Sequence, residues 1–302
     1  MADRWKLVSL RRHVVSRSIE ELMAENDSTT LDYLSKELGL SMDCIDRFLR
    51  PWFGGVFFER DLATSSRFFR FIFKMFSLGD ASLPENGMKS IPEQLLKKIP
   101  ADNIRLNTPV KSVAEGSVHL DGGEKIEARA VVLAVNGVEA ARLSGEKLET
   151  PPFKQTACVY FGTEKPVVRE PILVLNGEGK GPINNMCVPS LVSPSYAPPG
   201  KSLVSVSVID PEAIQKNNLE KEVRQQLRDW FGAEVDLWYH LRTFRITHAL
   251  PSQPVGFLEQ SGDTLRIREG LYACGDYRAT ASIHGAMLSG RLAAEAIIKD
   301  HP

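Results

Sequence analysis

Residues 270–298 read GLYACGDYRATASIHGAMLSGRLAAEAII. A short apolar run, Leu271-Tyr272-Ala273-Cys274, stops at Gly275-Asp276; a small, polar loop follows, and Ser282 opens a long run of helix formers. This order predicts a strand, a loop and a helix. The helix points its N-terminus at the loop, where unpaired backbone N–H groups and the positive end of the dipole favour an anionic or carbonyl-rich ligand. Gly285, Ala286, Ser289, Gly290, Ala293 and Ala294 keep one helix face flat enough for a close neighbour, either a further strand or a bound cofactor. The plainer reading of the same residues is a sheet-and-helix packing unit with a solvent-facing Asp276.

The chain around this segment has 302 residues, enough for one large or two ordinary domains, and its 43% hydrophobic and 25% charged residues allow a sizeable core. A net charge of −1 leaves no electrostatic footprint for nucleic acid. Cys44, Cys158, Cys187 and Cys274 are scattered, with no Cys-x-x-Cys pair to suggest zinc, a redox dithiol or a disulfide framework. A reducing compartment and no metal site are therefore expected. The opening MADRWKLVSL is charged and enters a helical pattern directly, without the look of a signal or transit peptide, and no apolar run reaches membrane-spanning length.

Upstream, Val14, Val15, Ile19, Leu22 and Met23 share a helical face, Asp27-Ser28-Thr29-Thr30 caps a helix Leu31–Leu38 that Gly39 stops, and a third helix, Met42–Leu49, is expected to end at Pro51. The run Ser66–Leu78, SRFFRFIFKMFSL, puts Arg67, Arg70 and Lys74 on a narrow stripe and aromatic residues around most of the circumference. Such a helix can line an apolar substrate tunnel, lie at a membrane surface with its basic stripe toward phosphates, or form the core of a helical cap. After a Pro/Asn/Gly turn and a helix within 83–99, short strands are expected at Ile104–Val110, Lys111–Leu120 and Lys125–Val135, with a hairpin at Asp121-Gly122-Gly123. Within the last of these, Ala130–Val135 is a continuous apolar run suited to a parallel strand buried on both faces. Between Pro151 and Pro254, β-rich runs and an amphipathic helix at Leu219–Phe231 indicate a second sheet, with Gly177–Gly181 as a hairpin loop.

Two blocks carry a family resemblance. Gly-Leu-Tyr-Ala-Cys-Gly-Asp, the loop, and Ser-Ile-His-Gly-Ala-Met-Leu-Ser-Gly-Arg-Leu-Ala-Ala-Glu resemble the C-terminal flavin motif of the FAD-dependent amine oxidase and phytoene desaturase superfamily. Asn107-Thr108-Pro109-Val110-Lys111-Ser112-Val113, followed by Ala130–Val135, resembles the middle of the same proteins. The resemblance implies an α/β (α+β) fold: an FAD/NAD(P)-binding Rossmann-like domain with an inserted sheet-plus-helix substrate domain. It divides the chain into a helical cap or substrate-domain part at 1–82, the middle of the FAD-binding domain at 83–150, the substrate-domain sheet at 151–254 and a C-terminal FAD-binding segment at 255–302. It implies that Gly275 and Asp276 serve the ribityl and pyrophosphate region, that Ser282, Ile283, His284, Gly285 and Ala286 cap the pyrimidine edge of the flavin, and that the Val110 backbone pairs with adenine. A helix start suits that edge because reduced flavin carries negative charge there. No cysteine stands where some relatives attach flavin, so FAD is expected to be bound non-covalently.

The chain departs from the family pattern in two places. It has no G-x-G-x-x-G between a first strand and a first helix, and Gly177-Glu178-Gly179-Lys180-Gly181 has the wrong spacing and no helix after it. The resemblance spans nearly the whole chain but only the later part of the family's length. Two readings follow: a flavoenzyme lacking its N-terminal dinucleotide unit, or a non-catalytic remnant acting as partner of a full-length relative. In either, an exposed sheet edge would favour aggregation, pairing with a second copy or with that relative, or incomplete folding. The second departure is Ser282, where amine-oxidising relatives place an aromatic. Together with the Phe-rich helices it points to hydride removal from a bulky apolar small molecule, such as an isoprenoid or carotenoid, over amine oxidation proper. No catalytic base is assigned; His284 reads as a surface or packing residue at the helix start, or as a catalytic one. The resemblance also implies a plastid (chloroplast) location.

Overall fold

The computed structural model describes residues 2–148, 150–257 and 265–301, so part of the segment 255–302 lies outside the described residues. Two units are each built from two stretches of chain: Met1–Lys98 with Lys154–Ala249, and Ile99–Phe153 with Leu250–Pro302. Residues 83–98, assigned from sequence to the cofactor-binding middle, therefore belong to the first unit. The Ser195 and Tyr196 hydroxyls donate to the carbonyls of Glu85 and Pro84 and hold that stretch there.

In the first unit, SRFFRFIFKMFSL forms the 13-residue helix Ser66–Leu78, with the Ser65 hydroxyl accepting from the Arg67 N–H as N-cap. Phe69 meets Phe53 edge to face with ring centroids 4.6 Å apart, and Phe68 meets Phe57 at 5.6 Å. The basic stripe does not face outward: Arg70 and Lys74 are only 2% and 8% exposed. Lys74 Nζ donates to the carbonyls of Val14, Val15 and Arg17 at 2.9, 3.2 and 2.6 Å, where helix Ala2–Ser16 ends and leaves carbonyls without helical partners. Arg70 pairs with Glu25 at 3.3 Å, donates to the Asn26 carbonyl and stacks on the Tyr33 ring. The membrane-facing reading of this stripe is thus corrected, because burial forces each cation onto orphan carbonyls or a carboxylate.

Pro51 also behaves differently from expectation. Helix Met42–Cys44 runs through a π-helical turn, Ile45–Leu49, into helix Arg50–Phe57. The π turn closes with Arg50 N–H on the Ile45 carbonyl, and Pro51 follows in the first turn of the next segment, where its missing N–H is not needed. The chain turns instead at Phe58, in the left-handed region at φ 53°.

The sheet of this unit runs in the order Val174–Leu175, Asn185–Cys187, Ser202–Val208, Phe153–Thr163, Tyr239–Pro251. The register pairs Val159 with Val206 and Phe161 with Val204. Every second side chain therefore enters one core, where Val159, Phe161, Val204 and Val206 join Leu219, Val223 and Leu227 of helix Leu219–Phe231. Gly177–Gly181 lies in the loop joining the first two of these strands, as its hairpin reading required.

The second unit has two small sheets. Val131–Leu133 runs parallel to Leu271–Ala273, whose other side pairs antiparallel with Arg266–Arg268. Val110–Ala114, Ser117–Leu120 and Lys125–Glu127 form an antiparallel meander, with the Asp121–Gly123 hairpin as expected. Two expectations are corrected: Ile104–Pro109 forms no strand, and Lys111–Leu120 is two strands folded at Glu115-Gly116, with Gly116 at φ 63°. The parallel strand is found, but among the described residues it is a sheet edge, so Val132 is 38% exposed instead of buried. Leu133, Ala140, Leu143, Leu271, Ala273 and Tyr277 form the core beneath it.

Candidate cofactor site

The strand Leu271–Ala273 leads through Cys274 into Gly275, a short 3-10 turn Asp276–Arg278 and helix Ile283–Asp300. Ser289, 1% exposed, locks the loop to the helix: its Oγ accepts from the Gly275 N–H at 2.9 Å and lies 3.0 Å from both the Gly275 and Ala286 carbonyl oxygens, either of which can take its proton. Gly275 admits no side chain, because a Cβ there would sit 2.5 Å from the Tyr277 ring, and a Cβ on Gly285 would overlap the Thr280 carbonyl oxygen. These two glycines let the loop fold tightly over the start of the helix.

The Ser282 hydroxyl accepts from the Gly285 N–H at 2.9 Å, and its carbonyl accepts from the Ala286 N–H. That leaves the Ile283 and His284 N–H groups as the helix donors without an intrahelical partner, at the positive end of an 18-residue dipole. Three buried polar atoms around the same loop have no hydrogen-bond partner among the described residues: Gln253 Oε1, the Tyr277 hydroxyl and Arg278 Nε. Gln253 is tied to the loop through Nε2, which donates to the Ala279 carbonyl at 3.2 Å. Leaving such groups buried and unpaired costs free energy that a polar ligand would return. Burial pushes the Asp276 carboxyl up, while the backbone N–H groups of Tyr277 and of Asp276 itself pull it the other way. Burial likewise raises the neighbouring Cys274 thiol, which keeps it protonated and unreactive.

The loop and helix start thus bring together Gly275, Asp276, Ser282, Gly285 and Ala286. Ile283 and His284 stand at the same helix start with exposed side chains. Val110 lies apart, at the start of the meander, packed at the margin of the same core and with its carbonyl accepting from Arg142 at 3.4 Å. Sequence reasoning singled out Ser289 only as a small residue and missed Gln253, Tyr277 and Arg278. Among the described residues there is no cluster of three or more His, Cys, Asp or Glu able to hold a metal, and no helix is long and apolar enough to cross a membrane.

Residues 9–298 match the family model of the flavin containing amine oxidoreductases. The chain belongs to that family. This flavin-containing amine oxidoreductase resembles an oxidoreductase from Methanosarcina mazei over 94% of its own chain and 72% of the other, with TM-score 0.71 and 19% identity. It resembles reduced UDP-galactopyranose mutase over 97% and 74%, with TM-score 0.67 and 13% identity. Putrescine oxidase bound to putrescine aligns over 98% and 76%, with TM-score 0.69 and 14% identity. At these identities the likenesses establish the fold, a mixed helix-and-sheet architecture of FAD-dependent oxidoreductases. No curated protein matches the chain in sequence. The family makes the protein a flavin-dependent oxidoreductase with FAD as its cofactor, and the glycine cradle, the helix start and the unpaired buried polar atoms fit that group.

Proposed function

We propose that this oxidoreductase removes a hydride from an uncharged, bulky apolar small molecule, with an isoprenoid or carotenoid as the leading substrate class. The observation that carries the cofactor half of this reading is the cluster of buried, unpartnered Gln253, Tyr277 and Arg278 atoms around the Gly275–Ser282 loop. In this reading Asp276 and Gly275 hold the ribityl and pyrophosphate region, the helix start Ser282–Ala286 faces the pyrimidine edge, and the Val110 backbone serves the adenine. When bound, the flavin supplies a two-electron acceptor; the protein supplies orientation and the electrostatic field. The Ile283 and His284 N–H groups and the helix dipole favour the electron-rich state of that edge. Ser282 at the helix start offers no aromatic wall to hold an amine, which supports the apolar reading over amine oxidation. Plastid placement, suggested by the resemblance, is part of the same proposal and is checked by imaging a fluorescent fusion of the encoded gene.

The test is anaerobic. Protein loaded with FAD is mixed with phytoene dispersed in detergent or with benzylamine, and the visible flavin band is followed. Bleaching by phytoene and not by benzylamine is the expected result. Bleaching by benzylamine alone would replace the proposal with amine oxidation.

A further inference from the structure

The first unit carries a cavity of about 410 Å³ with Phe48, Trp52, Val56, Phe76, Leu173 and Leu175 among its walls. Its volume falls within the range of about 300–1,000 Å³ typical of small-molecule sites. No lining residue is charged. An alkylammonium seated against these walls would give up part of its hydration without gaining a carboxylate from them, which disfavours cationic amines in this space. One wall is a row of rings in contact: Trp52 packs against Phe48 and against Phe76, each pair with ring centroids 5.3 Å apart.

One polar side chain lines the cavity with a free amide. Asn185 sits on the strand Asn185–Cys187, half-buried, and no hydrogen bond engages its side chain among the described residues. Its neighbour Asn184 differs in this respect, since its amide donates to the Pro51 carbonyl at 2.9 Å. Gly55 is what lets the Asn185 amide lie where it does, because a Cβ at that position would overlap Asn185 Nδ2. A single hydrogen-bonding amide in an otherwise apolar, uncharged cavity is the pattern that fixes the orientation of an apolar ligand by one polar end.

We infer that this cavity binds an uncharged, elongated hydrocarbon molecule that carries a single hydroxyl or carbonyl group, with the hydrocarbon against the Trp52–Phe76 wall and the polar end on the Asn185 amide. The inference deepens the apolar-substrate reading above, adding that a ligand with one polar end binds more tightly than a pure hydrocarbon such as phytoene, and rests on that reading for the role of the ligand; binding itself is measurable without flavin chemistry.

The experiment is equilibrium dialysis of the full chain, with and without FAD, against tritiated farnesol, its hydrocarbon counterpart farnesene, and dodecylamine at neutral pH. Saturable binding of farnesol is expected, tighter than farnesene, with dodecylamine at least about tenfold weaker for lack of a counter-charge. Asn185→Leu removes one hydrogen bond, so farnesol affinity should fall about three- to tenfold and the preference for farnesol over farnesene should vanish. Ala81 lies on the exposed rim of the cavity, so Ala81→Trp should keep the fold, checked by circular dichroism, and block all three ligands. Dodecylamine binding as tightly as farnesol overturns the inference, as does farnesol binding that both variants leave unchanged. So does a folded, FAD-retaining protein that takes up no farnesol, and this result leaves the flavin assignment standing. Farnesol binding with the stated variant pattern supports the site even where FAD is not retained, in which case the oxidoreductase proposal is what fails.

Discussion

The aromatic helix Ser66–Leu78 and the C-terminal loop with helix Ile283–Asp300 both bury polar groups, and they differ in how far those groups find partners. In the first, Lys74 donates to three carbonyls at the end of helix Ala2–Ser16, and Arg70 reaches the Asn26 carbonyl and Glu25 through its terminal nitrogens while its Nε stays unpaired. In the second, Gln253, Tyr277 and Arg278 each keep a buried atom without a partner. Buried charge that is mostly partnered holds the fold together, whereas three unpartnered atoms grouped beside a helix N-terminus leave hydrogen-bonding capacity that the proposed flavin would use. Substitutions in the first region should therefore change stability, and substitutions in the second should change flavin binding.

Gly285→Val gives the sharpest break on the ligand side. The added side chain must displace the Thr280 carbonyl from the helix start, which should abolish FAD retention and destabilise the unit by about 1–3 kcal/mol through overpacking; flavin absorbance after gel filtration and urea denaturation read the two effects. On the structural side, Lys74→Met leaves three carbonyls unpaired at the end of the first helix and should cost about 3 kcal/mol in urea denaturation, with FAD content per folded molecule unchanged. A smaller effect separates the two roles of Asp276. Burial raises its carboxyl above the unfolded value, so the native state holds the proton longer and stability falls as pH rises through the raised value. Flavin-free Asp276→Asn should accordingly melt higher than the flavin-free parent near neutral pH, with the difference closing in acid, while binding FAD more weakly. Smallest of all, Val132→Lys on the exposed edge strand should reduce concentration-dependent association seen by light scattering without altering FAD binding.

Local patterns were legible where one residue type fixed the outcome. Ser66–Leu78 and Leu219–Phe231 form over their expected limits because amphipathic spacing and flanking glycines act within a single helix. The strand, loop and helix of Gly270–Ile298 were legible for the same reason. What could not be read depends on distant chain. The stripe of Arg70 and Lys74 suits a tunnel, a membrane surface or a cap core equally until helix Ala2–Ser16 brings its free carbonyls to Lys74 and Glu25 and Asn26 meet Arg70. Pro51 marks a helix end by its own chemistry, yet the π turn before it supplies the register in which its missing N–H does no harm. Gln253 carries no motif, and only the folded second unit places its amide on the Ala279 carbonyl.

The most direct measurement is the visible spectrum of the 302-residue chain after incubation with FAD and gel filtration, beside an Asp276→Ala variant. Flavin bands retained at about one per chain and lost in the variant are the expected result and would place the cofactor on the Gly275–Ala286 cradle. A colourless parent, or a variant that holds flavin as well as the parent does, would contradict that placement.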